Sequence, residues 1–281
     1  MSRRDAVEIR ERDLPTCTDD LPATLSPLLR RVYRGRGVTR SDELDYRLNQ
    51  LPHPGSLRSV GSAAAVLADA ITVGQRILVV GDFDADGATS TALAVRALHA
   101  MGACRVDYLV PNRFQFGYGL TPELVEVARA YAPDLILTVD NGVSAHAGVE
   151  AAQAADIGVV VTDHHLPGES LPAALAIVNP HIESPAFAGR HLAGVGVCFY
   201  TMLAVRAALR ERAWFNTDRP EPALVDNLDL VALGTVADVV PLDRVNRLLV
   251  EQGLRRIRAG QATPGVLALL NAAGRDPARV N

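Results

Sequence analysis

Apolar runs of strand length alternate with helical patterns along the middle of the chain. The runs cover residues 76–80, 105–110, 135–139, 157–162 and 176–178, and they are rich in Val, Ile and Leu. Helical patterns precede or separate them at 56–73, 89–101, 122–131 and 145–155. Apolar strands that alternate with helices are typical of a parallel sheet covered on both faces. The pattern therefore predicts an α/β fold with a mostly parallel sheet and helices on both faces.

The two ends of the chain have different patterns. Residues 1–55 are rich in arginine and broken by prolines, which predicts an arm packed on the main domain, with short helices at 27–33 and 41–48. After residue 196 the pattern is helical, with predicted helices at 197–213, 223–233, 246–259 and 264–273. We therefore expect an N-terminal arm over 1–55, an α/β domain over 56–245 and a helical segment over 246–281.

Composition narrows the class of protein. The chain has 281 residues, of which 48% are hydrophobic and 21% charged, as in globular proteins. Its net charge of −4 gives no bulk signal for nucleic acid, so a polyanion site would be a local basic patch. The scattered Cys17, Cys104 and Cys198 form neither a disulfide framework nor a zinc motif, which favours a reducing cytoplasm. We expect no membrane span and no secretory signal, because no long apolar run is present.

Acidic and imidazole side chains follow three of the predicted strands. They are Asp82, Asp84 and Asp86 after 76–80, Asp140 after 135–139, and Asp163, His164 and His165 after 157–162. In an open parallel sheet, ligands bind beyond the carboxyl ends of the strands, so we expect these side chains to meet at one edge. A further acid, Asp238, follows an apolar segment that could pack beneath this site.

Such a residue set is typical of a site for hard cations. Carboxylates crowded into a cleft of low dielectric repel one another unless they take up protons or share a cation. Carboxylates with one or two imidazoles and no thiolate favour Mn²⁺ or Mg²⁺ over a structural zinc. This many acids can hold two ions, which favours the hydrolysis of a phosphate ester or anhydride.

The first acidic run also matches the start of an EF-hand calcium loop. Residues 82–87 read DFDADG, with acids and a glycine at the positions that the loop requires. The loop also needs a bidentate glutamate at its twelfth position, where this chain has Leu93. The segment before the run reads as a strand rather than a helix. An EF-hand is therefore not expected here.

Six longer motifs resemble a known family. They are GDFDADGATSTAL, PNRFQFGYGL, TVDNGVSAHAGVE, VTDHHLPGESLPAALAIVNPH, LAGVGVCFY and LDLVALGTVADVVPLD. They are similar to the DHH phosphoesterase superfamily and, within it, to the bacterial RecJ family of single-stranded-DNA-specific exonucleases, from about Val60 to about Leu270. The resemblance implies a 5′-to-3′ exonuclease of DNA repair and recombination that releases mononucleotides from single-stranded DNA with two Mn²⁺ or Mg²⁺ ions. It also implies that 56–245 is a DHH catalytic domain, and that DHHA1-type and oligonucleotide-binding domains follow beyond this chain.

The resemblance implies roles for the residues at the strand ends. The implied metal ligands are Asp84, Asp86, Asp140, His164 and Asp238, with Asp140 as the bridging carboxylate. Asp82 is either a further ligand or a partner of one. His165 is implied to face the scissile phosphate, and Asp163 is implied to orient a histidine.

The motif PNRFQFGYGL offers contacts for a single strand. Arg113 could contact a phosphate, and Tyr118 could stack on a base, as could Phe114 or Phe116, because single strands are held in this way without sequence readout. The alternative is an ordinary turn with its aromatic side chains in the core.

Two further segments have both a binding and a structural interpretation. Asn141 could bind a phosphate or a water at the metal centre, or it could shape the turn before Gly142. His191, Gly194 and Gly196 could bring backbone N–H groups close to a phosphate. Alternatively, these glycines could allow a helix to pack closely.

Two other functions fit parts of the pattern. A DHH phosphoesterase of short oligonucleotides or cyclic dinucleotides would share the metal cluster, although the longer motifs argue against it. A non-catalytic DNA-binding relative would share the fold, but every expected ligand is present here. End-labelled single-stranded DNA with Mn²⁺ separates these functions from the exonuclease.

Overall fold

The computed structural model describes residues 13–14, 16, 18–183 and 187–281, so Cys17 lies outside the described part. The chain divides into two compact units, Met1–Gln50 and Leu51–Asn281. In the smaller unit, helix α1 spans Pro27–Gly35, and Ser26 caps it by accepting a hydrogen bond from the Leu29 N–H. The predicted helix at 41–48 is wrong, because only short 3₁₀ turns form there, at Ser41–Leu44 and Leu48–Gln50.

A five-stranded parallel sheet is the framework of the larger unit. Its strands are β1 (Ile77–Val80), β2 (Val106–Leu109), β3 (Leu135–Val139), β4 (Gly158–Thr162) and β5 (Ala176–Val178). They lie in the order β2-β1-β3-β4-β5, and every neighbouring pair is parallel. The predicted α/β fold is confirmed. Chain order reverses between β1 and β3, which is the place where open α/β sheets bind ligands.

Helices cover both faces of this sheet. The helices of the larger unit are α2 (Val60–Val73), α3 (Ala85–Ala100), α4 (Arg113–Phe116), α5 (Pro122–Ala128), α6 (His146–Ala154), α7 (Gly194–Glu211), α8 (Leu228–Ala237), α9 (Arg244–Arg258) and α10 (Pro264–Ala272). Successive strand residues point to opposite faces. Ile77 and Val79 therefore pack in the core that includes α2, α3 and α7, while Leu78 and Val80 pack with α5 and α6. Burial on both faces explains why β1, β3 and β4 read as continuous apolar runs, whereas the edge strand β2 is partly exposed.

Several helices begin earlier or end later than the sequence predicts. Helix α3 begins at Ala85, because Asp84 is its N-cap and accepts from the Gly87 N–H at 2.9 Å. The sequence did not predict this start, because a run of alternating acids is also typical of a turn. Helix α8 continues to Ala237, past the predicted end at 233, and this extension leaves Asp238 as its C-cap.

The helices after β5 pack together within the larger unit. Helix α9 packs on α8, and α10 also contacts α8. Among the described residues, no single helix is long and apolar enough to cross a membrane, although one bent pair of segments, Leu48–Ser56 with Val60–Val73, passes on length and composition. The predicted divisions after residues 55 and 245 remain predictions.

Candidate metal centre at the carboxyl edge of the sheet

Three strands deliver polar side chains to the carboxyl edge of the sheet. After β1, the chain turns directly into α3, which carries Asp86 in its first turn. Asp140 directly follows β3 with φ of 62°, a left-handed conformation that is uncommon for residues other than glycine. His164 follows β4, and its ring is mostly buried. Strain at a strand end of this kind is common where a side chain must point into a site.

The ring of His164 is the meeting point of three carboxylates. Its Nε2 atom lies 3.2 Å from Asp140 Oδ1, 3.7 Å from Asp238 Oδ2 and 3.9 Å from Asp86 Oδ2. These groups come from β3, the end of α8 and the start of α3. Three acidic residues that are far apart in the sequence therefore lie within 4 Å of one imidazole.

Possible ligand atoms fall into three overlapping groups, in each of which the atoms lie within 4.8 Å of one another. The groups are Asp86, His164 and Asp238; Asp140, His164 and His165; and Asp82, Asp84 and Asp140. Asp140 and His164 each belong to two of them, and of these two residues Asp140 is the carboxylate. It therefore occupies the position that a carboxylate shared by two cations would need.

The N-terminus of α7 holds Asp86 in place. Asp86 accepts hydrogen bonds from the Gly194 N–H at 2.6 Å and the Val195 N–H at 2.9 Å, where the helix dipole favours a negative charge. A Cβ atom on Gly194 would lie only 2.5 Å from Asp140 Oδ1. Helix α7 therefore begins at residue 194, before the predicted start at 197, because its first N–H groups have a buried carboxylate as their partner.

The same contacts correct the predicted phosphate site at Gly194 and Gly196. The Gly194 N–H donates to Asp86 and is buried, so it is not available to a phosphate. Gly196 is buried as well, and a Cβ atom there would lie 2.9 Å from Leu192 Cδ2. The structure supports the alternative interpretation, in which these glycines allow close packing.

Burial makes the carboxylate cluster hard to ionise without a cation. It raises the pKa of Asp86 to about 8, with a further contribution from the charge of Asp140. It raises the pKa of Asp140 to about 6, although the nearby His164 offsets part of the shift. It also raises the pKa of Asp238. Burial lowers the pKa of His164, but the surrounding carboxylates outweigh this and raise it to about 9. The cluster therefore retains protons that a cation would displace.

Two buried atoms at the centre fit a cation better than a hydrogen-bond network. Although they lie 3.2 Å apart, Asp140 Oδ1 and His164 Nε2 are both without a hydrogen-bond partner among the described residues. Unpartnered buried polar atoms are rare and costly. Carboxylate oxygens and an imidazole nitrogen are suitable donors for Mn²⁺ or Mg²⁺. The residues present therefore fit a divalent cation.

The neighbouring residue His165 has a quite different environment. Its Nδ1 atom lies 2.8 Å from Asp163 Oδ1, and this contact raises the pKa of His165. Burial alone would raise the pKa of Asp163, but His165 and the backbone N–H donors outweigh it and lower the pKa. Those donors include His164 and His165 on Oδ1 and Val143 on Oδ2. The histidine that Asp163 orients is thus His165.

Arg113 and Tyr118 lie at the β1 end of the centre. Arg113 Nη2 donates to Asp82 Oδ2 at 2.7 Å, and its guanidinium lies 4.1 Å from the centre of the Phe83 ring and 5.1 Å from that of Tyr118. The Tyr118 hydroxyl lies 3.0 Å from His165 Nδ1. Tyr118 and Phe114 are exposed, so the alternative interpretation of a turn with buried aromatic rings does not hold for these two residues.

Asn141 and His191 do not join the cluster of ligand atoms. Asn141 is fully buried, and its amide donates to the carbonyls of Val80 and Val139. It therefore shapes the turn and ties β1 to β3, which is the structural alternative. His191 is exposed, and its carbonyl accepts from the Asn246 side chain at 2.6 Å.

Two residues beside the site, Asn179 and His181, were not predicted from the sequence. Asn179 directly follows β5; its amide donates to the His165 carbonyl at 2.8 Å, and its Oδ1 accepts from the His181 N–H at 2.8 Å. The signal was the short motif VNPH at the end of β5. This motif marks a further strand that ends in polar side chains at the same edge of the sheet.

A cavity of about 570 Å³ adjoins the His165 side of the centre. Its lining includes Tyr118, Asp163, His165, Ser144 and Leu166. This size is typical of sites for small molecules.

Comparisons with known proteins agree with this geometry. Residues 76–235 match the family model described as "DHH family, N-terminal domain". Single-stranded-DNA-specific exonuclease RecJ of Escherichia coli (strain K12) is 54% identical over 274 residues, which cover 97% of this chain and 47% of that protein. The chain thus spans about half the length of the curated relatives that it matches.

Solved structures show the same likeness. The crystal structure of RecJ in complex with Mn²⁺ from Thermus thermophilus is 36% identical, with a TM-score of 0.70, over 87% of this chain and 33% of that one. The Mg²⁺ complex of RecJ from the same organism is 33% identical, with a TM-score of 0.57, over 87% of this chain and 30% of that one.

Proposed function

We propose that this chain, which belongs to the DHH family, forms the catalytic domain of a metal-dependent exonuclease that degrades single-stranded DNA from its 5′ end. The products are mononucleotides, and the activity serves DNA repair and recombination. The observation that carries the proposal is the convergence of Asp86, Asp140 and Asp238 on His164, with buried atoms that have no other partner. The names of the similar exonucleases supply the substrate and the reaction.

The residues of the cluster divide between ligands and support. We assign Asp84, Asp86, Asp140, His164 and Asp238 as ligands of two divalent cations, Mn²⁺ or Mg²⁺, with Asp140 shared between them. Asp82 accepts from Arg113 and from the Phe83 N–H, so we assign it a supporting position beside the ligands. Two bound cations would supply water activation and charge neutralisation for phosphodiester hydrolysis.

Other side chains would hold the DNA. The His165 ring is held by Asp163 through Nδ1, and its Nε2, which lies 3.4 Å from the Tyr118 hydroxyl, would face the scissile phosphate. The raised pKa of His165 favours the imidazolium form, which binds an anion more strongly than a neutral ring does. Arg113 would contact a second phosphate, and the exposed ring of Tyr118 would stack on a base.

The free cysteines bear on the cellular location of the protein. Cys104 and Cys198 are free cysteines, which suits a reducing compartment, and we propose that the protein acts in the cytoplasm.

The test uses the purified chain, Mn²⁺ and single-stranded DNA labelled at its 5′ or its 3′ end. We expect the 5′ label to be released first, as a mononucleotide, and Asp140→Asn to remove the activity. Attack from the 3′ end, or a preference for duplex, would contradict the proposal. Rapid cleavage of a cyclic dinucleotide with inert DNA would favour the small-substrate phosphoesterase. Metal binding without cleavage of either substrate would favour a non-catalytic relative.

A further inference from the structure

A second group of basic side chains lies at the β5 end of the catalytic edge, on the side away from Arg113. Asn179 connects it to the centre, because its side chain bonds both the His165 carbonyl and the His181 N–H. Asn179 is fully buried, so this connection is a fixed part of the fold. His181 is therefore held beside the loop that carries His164 and His165.

Arg190 fixes the protonation state that His181 presents. The Arg190 Nε–H donates to His181 Nδ1 at 3.4 Å. A guanidinium can only donate, so Nδ1 must accept and the ring proton lies on Nε2. Burial and the charges of Arg190 and His191 lower the pKa of His181, which keeps the ring neutral. His181 therefore offers an N–H donor beside the exposed Arg190 guanidinium.

The pair adjoins the metal centre through Asn179, whose side chain bonds the His165 carbonyl and the His181 N–H. The charges of His164 and Asp163 both act on the pKa of His181. A chain with a net charge of −4 can hold a polyanion only through local basic groups, and this pair is one such group at the catalytic edge. A neutral donor next to a guanidinium is well suited to a phosphate oxygen.

We propose that His181 and Arg190 together bind a backbone phosphate of the single strand on the β5 side of the metal centre. The proposal rests on the proposed function and extends it to the path of the DNA. Arg113 lies beside Asp82 at the end of β1, and β1 and β5 are separated by three strand intervals, or about 14 Å. One phosphate cannot contact both arginines, so the strand crosses the carboxyl edge of the sheet and is held on both sides of the ligands.

The test measures binding of a 3′-labelled, phosphorothioate-linked single strand to the purified chain over a series of salt concentrations. Arg190→Ala should weaken binding about 10-fold, the effect of losing one charged hydrogen bond. It should also reduce the slope of log affinity against log salt by about 0.7, the value for one phosphate of a single strand. His181→Phe should weaken binding by a smaller factor, and Arg190→Lys should restore the salt slope. Mn²⁺ affinity should stay unchanged in all three variants.

Arg129→Ala is the matched control, because Arg129 follows α5 at the opposite edge of the sheet and pairs with Glu126. It should leave affinity and slope as in the unaltered chain. An unchanged slope in Arg190→Ala would overturn the proposal, because a purely structural Arg190–His181 contact contributes no counterion release. If the unaltered chain cleaves single-stranded DNA but Arg190→Ala leaves the salt slope unchanged, this inference alone fails. If Arg190→Ala lowers the salt slope as predicted but the unaltered chain does not cleave single-stranded DNA, the proposed function fails.

Discussion

The two adjacent histidines of the DHH motif lie in opposite kinds of surroundings. On the His164 side, three carboxylates approach one ring nitrogen, and the central atoms lack hydrogen-bond partners. On the His165 side, the Asp163 carboxylate accepts from the ring and from three backbone N–H groups. Both sides are built from acids and an imidazole. They differ in whether hydrogen bonds from the protein alone compensate the negative charge of the carboxylates.

This difference indicates what each side requires. The Asp163 network is complete without an ion, because its donors compensate the buried charge. The His164 cluster is incomplete, and burial raises the pKa of Asp86 and Asp140 as it would for any acids crowded in a dry site. We therefore expect metal-dependent behaviour on one side of the motif and metal-independent behaviour on the other.

The largest expected effect is that of Asp140→Ala. Because Asp140 belongs to two groups of ligand atoms, its loss should abolish turnover and weaken Mn²⁺ binding by about 100-fold or more. Calorimetric titration with Mn²⁺ and the nuclease assay measure the two effects. The comparison variant is His165→Ala, which should lose turnover but keep Mn²⁺ affinity within a few fold. Equal losses of affinity in both variants would show that the two sides are not distinct.

Gly194→Ala should have the next largest effect, although it removes no functional group. The added Cβ atom would lie 2.5 Å from Asp140 Oδ1, so the ligand or the start of α7 must move. A shift of this kind can reduce turnover by about 100-fold. Steady-state rates and Mn²⁺ affinity are the measurements. Gly265→Ala is the control, because nothing lies within 4 Å of a Cβ atom there, and it should be neutral. A fully active Gly194→Ala would contradict the close approach.

The effect of pH on stability should differ with and without metal. The pKa values of Asp86 and Asp140 are raised from 3.8 to about 8 and about 6, so the folded state holds protons that the unfolded state has lost. The free energy of unfolding should therefore fall as pH rises from about 4 to about 8. His164 acts in the same direction, since its pKa is raised from 6.5 to about 9 and its contribution is lost as pH rises through that value.

Saturating Mg²⁺ should flatten or reverse this trend, because a cation replaces the protons on the His164 side. Urea unfolding at pH 5, 6.5 and 8, with EDTA or with Mg²⁺, measures it. The pKa of Asp163 is lowered, so its contribution is present above pH 3.8 and is lost only in stronger acid. The same pH slope with and without Mg²⁺ would argue against a cation at the cluster.

The smallest expected effect is that of Arg113→Ala. Arg113 bonds Asp82 but contributes no ligand atom, so Mn²⁺ binding should persist while affinity for single-stranded DNA falls about 10-fold. Fluorescence anisotropy with a labelled single strand measures this fall. Loss of Mn²⁺ binding in this variant would mean that Arg113 acts by holding Asp82 in the ligand cluster.

The site residues that could be predicted from the sequence are those that lie at the end of a strand. Asp140 and His164 follow apolar runs directly, and a parallel sheet brings the ends of such runs together. Asn141 and Gly194 were uncertain because either interpretation fits their local sequence. Only the structure shows that the Asn141 amide bonds two strands and that the Gly194 N–H bonds Asp86.

The sequence alone determined the strands, the parallel α/β fold and the residues that end the strands, because hydrophobic periodicity is a local signal. It also favoured hard cations, since ligand type depends only on residue type. Tertiary structure decided which histidine Asp163 holds. It also decided that α7 holds Asp86 and that Asn179 joins His181 to the DHH loop. Those pairings depend on contacts between residues up to 109 positions apart, and no local pattern encodes them.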